Sequence, residues 1–209
     1  DAIVRVEACG ICRSDWHVWT GDWTWFGGPP VPTPTVLGHE IGGVIEEVGK
    51  NVSRIRVGDR VTIPFHQSCG SCSYCLSAVP NRCSTGGVPG LSHDGGWDGY
   101  TRVMYADFNC QKLPDEIDSV TAAALGCRFM TAYHAVTRRG GVEPGQWVVV
   151  FGCGGLGLSA VQIATAIEAL VIAVDIKDSK LAKARREGAV HTINSREVQD
   201  VPAAIKELT

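Results

Sequence analysis

The sequence has no apolar stretch near the length of a membrane span, no internal repeat, no low-complexity tract and no excess of positive charge. Each absence excludes a class. Without about 20 consecutive apolar residues there is no transmembrane helix, so no membrane partner is expected. A formal net charge of −3 supplies no basic field for nucleic acid or for an anionic membrane surface. The opening residues do not read as a signal peptide. The remainder is ordinary: 209 residues, 44% hydrophobic and 20% charged, can hold one large domain or two small ones with a real core. The opening Asp1–Glu7 reads as the middle of a strand and the closing Val201–Thr209 as an unfinished helix, so both ends are expected to be cut from a longer chain.

Cysteine, in contrast, is abundant. Nine cysteines make an odd count, and their spacing suits metal better than disulfides, which points to a reducing, cytoplasmic setting. Four of them, Cys69, Cys72, Cys75 and Cys83, form the run C-G-S-C-S-Y-C-L-S-A-V-P-N-R-C. Two short gaps followed by a longer one let a single lobe wrap four thiolates around a tetrahedral ion. A closed Cys₄ shell leaves no open position, so the ion would be structural zinc. An iron–sulfur cluster suits similar spacing, and a disulfide pair would leave the spacing unexplained. Gly70, Ser71, Ser73 and Pro80 supply the small and turn-forming residues that such a loop needs.

Two regimes follow one another along the chain. From Ile3 to Asn109 short β-prone runs alternate with Gly and Pro; Val4–Ala8, Gly43–Val48, Arg60–Pro64 and Thr101–Tyr105 are candidate strands. Near Ser119 the pattern changes to Ala-rich, helix-prone segments at Val120–Gly126 and Arg128–Arg138. Beyond the turn at Glu143 come strand Trp147–Phe151, helix Leu156–Ala169, strand Val171–Asp175, helix Ser179–Glu187 stopped by Gly188, and strand Val190–Ile193. That order is βαβαβ, the first half of a doubly wound sheet. The expected fold is therefore a β-rich domain over 1–127 followed by the first half of an α/β nucleotide-binding domain over 128–209.

The turn Gly152-Cys153-Gly154-Gly155-Leu156-Gly157 matches G-x-G-x-x-G at the end of a strand and the start of a helix, the context that gives the motif meaning. Gly152 would allow the tight turn, Gly154 the approach of a pyrophosphate, and Gly157 close helix–strand packing. Asp175 ends the next strand, where a carboxylate bonds adenosine ribose hydroxyls and repels a 2′-phosphate, so NAD is expected over NADP.

Upstream, Cys9-Gly-Ile-Cys12-Arg13-Ser14-Asp15-Trp16-His17 and Gly38-His39-Glu40 complete the set. With the Cys₄ lobe and the nucleotide turn, the chain resembles the zinc-containing alcohol dehydrogenases of the medium-chain dehydrogenase/reductase family, over essentially all of its length. The stretch Gly38–Val52 follows that family's zinc signature. The resemblance implies a GroES-like catalytic domain before the Rossmann half, and two zinc ions per chain with NAD as cofactor. The catalytic zinc would be held by Cys12, His39 and Cys127, an open three-ligand set of the kind that leaves a position for substrate. Glu40 would act beside that zinc or coordinate it transiently, and Asp15 would orient His39. Zinc would lower the pKa of the substrate alcohol, hydride would pass to the nicotinamide, and the proton would leave through Ser14, the cofactor ribose and His17. Arg13 matches a pyrophosphate-binding position, Lys180 a ribose-binding one, Thr131 and Leu156 positions beside the nicotinamide, and Phe65 a substrate-pocket position.

The implied reaction converts a primary or secondary alcohol to an aldehyde or ketone. A polyol, threonine or formaldehyde dehydrogenase of the same family, and a non-catalytic zinc scaffold or redox module, are the competing readings. Full-length members would be homo-oligomers, dimers or tetramers. Trp16, Trp19, Trp23 and Trp25 gather around what reads as a turn after Cys12, where aromatic walls would favour apolar alcohols or simply pack a loop. Cys9, Cys110 and Cys153 read as packing residues, and His66, His93, His134 and His191 show no ligand spacing. Two departures stand out: Glu168 occupies a helix-to-strand connection where the family usually carries Gly, and the second half of the nucleotide fold is not in these residues. The 209 residues alone are accordingly expected to have little or no dehydrogenase activity.

Overall fold

The structure is a computed structural model that describes residues 1–24 and 34–209; Trp25 lies outside the described residues. The chain divides into two compact units, Asp1–Cys127 and Arg128–Thr209.

In the first unit five strands form an antiparallel sheet. β1 (Ala2–Gly10), β2 (Glu40–Val48), β3 (Arg60–Ile63), β4 (Tyr100–Val103) and β5 (Gln111–Lys112) are arranged in the order β4-β1-β2-β3-β5. Val4, Ile41, Ile45, Val61, Ile63 and Val103 close its core, each 1% exposed or less. The pairing of β1 with β2 shifts register between Val6 and Ala8, a bulge that re-aims the strand end leading to Cys12. Short helices α2 (Ser73–Leu76) and α3 (Ala106–Asn109) and a 3₁₀ turn at Pro80–Arg82 shape the cysteine lobe.

The segment after Cys12 is a helix, α1 (Arg13–Thr20), and not the turn expected from sequence. Its sequence is a weak helix former, so the ends carry it. Cys12 caps it in extended geometry, with Asp15 accepting the Cys12 N–H at 2.8 Å. Gly21 stops it at φ 73, a left-handed conformation suited to glycine. The helix-prone region from Ser119 onward is also not uniform. α4 (Ser119–Ala124), capped by Asp118, opens into a π-helical turn at Leu125–Phe129; α5 (Met130–Tyr133) is followed by a second at His134–Arg139. Such wide turns rotate side chains off the regular helical face, and Cys127 lies in the first of them.

The second unit holds a parallel three-stranded sheet, β6 (Trp147–Phe151), β7 (Leu170–Asp175) and β8 (His191–Asn194), in the order β6-β7-β8. Helices α6 (Gly155–Ala166) and α7 (Asp178–Arg186) link the strands, and α8 (Val201–Leu208) follows. β7 is the central strand and its residues Val171–Asp175 are all buried, as a strand covered on both faces requires. Val150, Val161, Ala164, Val171, Ala173 and Leu181 pack on one face; Ile172, Val174 and Ile193 pack on the other with Ile205 and Leu208 of α8. Glu168 does sit in left-handed backbone, at φ 65.

Candidate active site

The first unit gathers two sets of ligating side chains: Cys69, Cys72, Cys75 and Cys83, and Cys12, His39 and Cys127, with the ligating atoms of each set within 4.8 Å of one another. A zinc–sulfur bond of about 2.3 Å at the centre of a tetrahedron places neighbouring sulfurs about 3.8 Å apart. Cys69 and Cys75 Sγ are 3.9 Å apart, Cys72 and Cys75 3.5 Å, and Cys12 and Cys127 3.8 Å. All nine cysteines are free thiols, and these separations are far beyond a disulfide's ~2.05 Å. Both sets therefore fit zinc by donor type and by spacing.

Backbone geometry builds the four-thiolate lobe. The Cys72 N–H donates to Cys69 Sγ and the Cys69 N–H to Cys83 Sγ, both at 3.3 Å. Hydrogen bonds from Thr85 and Ser71 help hold the Cys69 thiol down to about 5, whereas burial and neighbouring thiols push Cys75 up to about 12. Asn109 anchors the lobe's entry. Its Oδ1 accepts from Ser68 N and its Nδ2 donates to Ser68 O, each at 2.9 Å. Asn109 is 1% exposed, and sequence reading gave no sign of its role.

The three-ligand set draws on α1, β2 and the π-helical turn. Asp15 is its organiser: one carboxylate oxygen caps α1 through Cys12, while the other accepts from Gly38 N at 3.2 Å and faces His39 Nδ1 at 3.2 Å. That carboxylate turns His39 so that Nε2 is the nitrogen available to an ion. Burial opposes a charge on His39, but Asp15 and Cys12 raise it to about 9. The contacts with Cys127 and His39 hold Cys12 near 3, and Cys127, facing Cys12 and partly buried, is pushed up strongly. A cation bound by the set would displace the protons these groups carry. Glu40 is 1% exposed beside this set and its charge bears on Cys127, but it is not one of the clustered ligand atoms. Gly10 makes room for it, since a Cβ there would meet the Glu40 carboxylate. Cys9 stays apart from the set, and partial burial raises its thiol to about 11.

Ser14 Oγ lies 3.7 Å from Cys12 Sγ, and the Phe65 ring meets His39 edge-on at 6.4 Å between centroids. His17 is bonded instead to Asp22, at 2.9 Å, and stacks on Trp23. Arg13 is exposed, its guanidinium 5.6 Å from the Trp16 ring centre, and Trp16 meets Trp19 edge-on.

In the second unit the glycine turn adopts the expected shape. Gly152 has φ 86, Gly154 caps α6, and a Cβ on Gly157 would lie 1.9 Å from the Gly152 carbonyl oxygen. A Cβ added at Gly152 or Gly154 would point into open space, and Gly155, Leu156 and Thr131 are exposed. Asp175 is no surface carboxylate. It is 7% exposed, and its oxygens accept from Cys153 N at 2.7 Å and from Lys177 N at 3.0 Å, with Lys180 Nζ at 3.6 Å. Burial would raise its pKa, but those N–H groups and Lys180 outweigh it and leave the carboxyl below its ordinary range.

A β-rich unit with one closed and one open zinc-type ligand set, followed in sequence by a parallel unit with a dinucleotide-type turn, defines the class of zinc- and nucleotide-binding dehydrogenases. Comparison with known proteins agrees. Residues 1–115 match the alcohol dehydrogenase GroES-like domain and residues 155–209 the zinc-binding dehydrogenase domain. The chain is 42% identical over 209 residues to an alcohol dehydrogenase of Geobacillus stearothermophilus, covering 99% of this chain and 59% of the relative. It superposes with TM-score 0.89 at 34% identity on the alcohol dehydrogenase TADH from Thermus sp. ATN1, covering 99% of this chain and 59% of that one. With the alcohol dehydrogenase of Aeropyrum pernix the TM-score is 0.87 at 36% identity, covering 100% and 60%. The chain belongs to the zinc-containing alcohol dehydrogenase family of medium-chain dehydrogenase/reductases. It spans about three-fifths of the length of these relatives. No helix among the described residues is long and apolar enough to cross a membrane.

Proposed function

We propose that this protein is an NAD-dependent, zinc-dependent alcohol dehydrogenase that interconverts primary or secondary alcohols with aldehydes or ketones. The observation that carries this reading is the incomplete ligand set: Cys12, His39 and Cys127 converge as three donors where a closed structural site has four. A zinc ion bound there supplies a Lewis acid for the substrate oxygen. A second ion on Cys69, Cys72, Cys75 and Cys83 would be structural, giving two per chain.

The protein's own groups would handle orientation and protons. Asp15 fixes the His39 ring, and Glu40 adds negative charge beside Cys127 that tunes the set. Ser14 and His17 pass the alcohol's proton toward solvent, a task suited to a hydroxyl near the open position and an imidazole at the surface. Phe65, packed on His39, favours an apolar substrate over a polyol. In the second unit Gly152, Gly154, Gly155 and Gly157 with the start of α6 would hold the pyrophosphate, Asp175 and Lys180 the ribose, and Thr131 and Leu156 the nicotinamide, with Arg13 adding charge for the phosphates. The domain roles follow: metal chemistry over 1–127 and NAD binding over 128–209. Free thiols throughout suit a cytoplasmic setting, and a homo-oligomeric assembly is the expected state of the full protein.

The test is alcohol-dependent NADH formation by the complete protein across a panel of apolar alcohols and polyols. Turnover of apolar alcohols supports the reading. Metal-loaded, NAD-binding protein that turns over no member of the panel would instead favour a zinc scaffold.

A further inference from the structure

The start of α1 serves the three-ligand set, but its last turn makes a separate arrangement. His17 Nδ1 lies 2.9 Å from Asp22 Oδ2. Gly21, left-handed at φ 73, folds the chain back so that the Asp22 N–H reaches the His17 carbonyl at 3.0 Å. The same loop lays Trp23 against the imidazole, 5.8 Å between centroids and 26° between planes. Asp22 is held below its ordinary range, first by the hydrogen bond from His17, then by one from Thr20, with smaller pulls from the charges of His17 and Arg13. An ionised carboxylate accepts and cannot donate, so the proton in this bond sits on Nδ1. The neutral ring is thereby fixed in tautomer by Asp22 and in plane by Trp23, with its lone pair on Nε2. Side-chain exposures of 31% for His17 and 47% for Asp22 place the pair at solvent. An exposed pair of this kind adds little to stability, so its geometry calls for another account.

We propose that Asp22 is a positioning residue for His17: it locks the Nδ1–H tautomer and so presents Nε2 as the atom that takes up the alcohol's proton and returns it to bulk water. This rests on the proton-transfer role given to His17 above. One proton arrives at Nε2 and one leaves from it, while Nδ1–H stays with Asp22; no other bond changes. Arg13 is the other charged group bearing on the pair.

Two readouts test it. ¹⁵N NMR of His17 in the 209-residue chain, in the pH range where the ring is neutral, should show the Nδ1–H tautomer in the native sequence and in Asp22→Asn, whose amide oxygen still accepts. Asp22→Ala should shift the ring toward Nε2–H. In the complete enzyme Asp22→Ala should lower kcat about tenfold with KM for the alcohol within about twofold, and Asp22→Asn should recover most of it. In a His17→Gln background Asp22→Ala should have no further effect, because the two residues act as one unit. An unchanged tautomer in Asp22→Ala, or an equal loss of kcat with and without His17, overturns the proposal. A tautomer that shifts as expected while His17→Gln leaves kcat intact also overturns it, and locates the failure in the relay role of His17 rather than in the pairing with Asp22.

Discussion

Replacing Glu168 by glycine should stabilise the second unit. α6 and α7 end in the same way. After α6 the Glu168 N–H reaches Thr165 O and the Ala169 N–H reaches Ala164 O; after α7 the Gly188 N–H reaches Arg185 O and the Ala189 N–H reaches Ala184 O. Both are Schellman closures, which place one residue in left-handed backbone. Gly188 fills that position at φ 108, but Glu168 fills its own at φ 65. A side chain there costs about 1–2 kcal/mol, and a carboxylate at a helix C-terminus costs roughly 0.3–1 kcal/mol more against the helix dipole. Glycine gives back roughly 0.5–1 kcal/mol through its greater freedom when unfolded. The net gain for Glu168→Gly is about 1 kcal/mol, or a rise of roughly 4–8 °C if the second unit melts as a small domain. Glu168→Ala removes the charge but keeps the strain, so it should gain only the roughly 0.3–1 kcal/mol of the dipole effect, less than glycine. Urea and thermal unfolding of the two variants decide the matter: alanine equal to or better than glycine would refute the backbone argument.

Further outcomes follow from the two sites. Cys72→Ser should remove one zinc per chain and lower the melting temperature of the first unit, because a closed thiolate site contributes directly to folding; unchanged zinc content by mass spectrometry would count against it. Gly157→Ala places a Cβ on the Gly152 carbonyl oxygen, so NAD affinity by calorimetry should fall by about tenfold or more. Asp175→Ser should move cofactor preference toward NADP, read as the ratio of kcat/KM for the two cofactors; an unchanged ratio would refute the ribose assignment. The native Asp175 is held below its ordinary range, so its stabilising contribution is complete above about pH 4 and disappears as pH falls through the lowered value. Acid titration of Asp175→Asn should lack that phase.

How much could be read in the sequence depended on how local each feature is. The four-thiolate lobe closes within one short loop, and the glycine turn lies between one strand and one helix, so spacing alone pointed to both. β7 and the βαβαβ order followed from apolar runs and their punctuation. Cys127 is different: it meets Cys12 across most of the first unit, from a π-helical turn that no residue pattern announces, and only family resemblance pointed to it. The segment of α1 reads as a turn, and its Ser, Asp, Trp and Thr are poor helix formers; the bonds of Asp15 and the Gly21 stop override that preference. Asp22 and Asn109 were missed for a related reason. Single polar residues in loops acquire meaning only when the fold brings His17 or Ser68 to them.

The central claim is that Cys12, His39 and Cys127 form the catalytic zinc site and the other four cysteines a structural one. It is tested most directly by Cys127→Ser in the complete protein, with zinc stoichiometry, melting temperature and alcohol-dependent NADH formation measured on one preparation. The account predicts two zinc ions falling to one, turnover lost, and a melting temperature within about 3 °C of the parent, because the four-thiolate lobe is untouched. Full zinc occupancy with preserved turnover would contradict it.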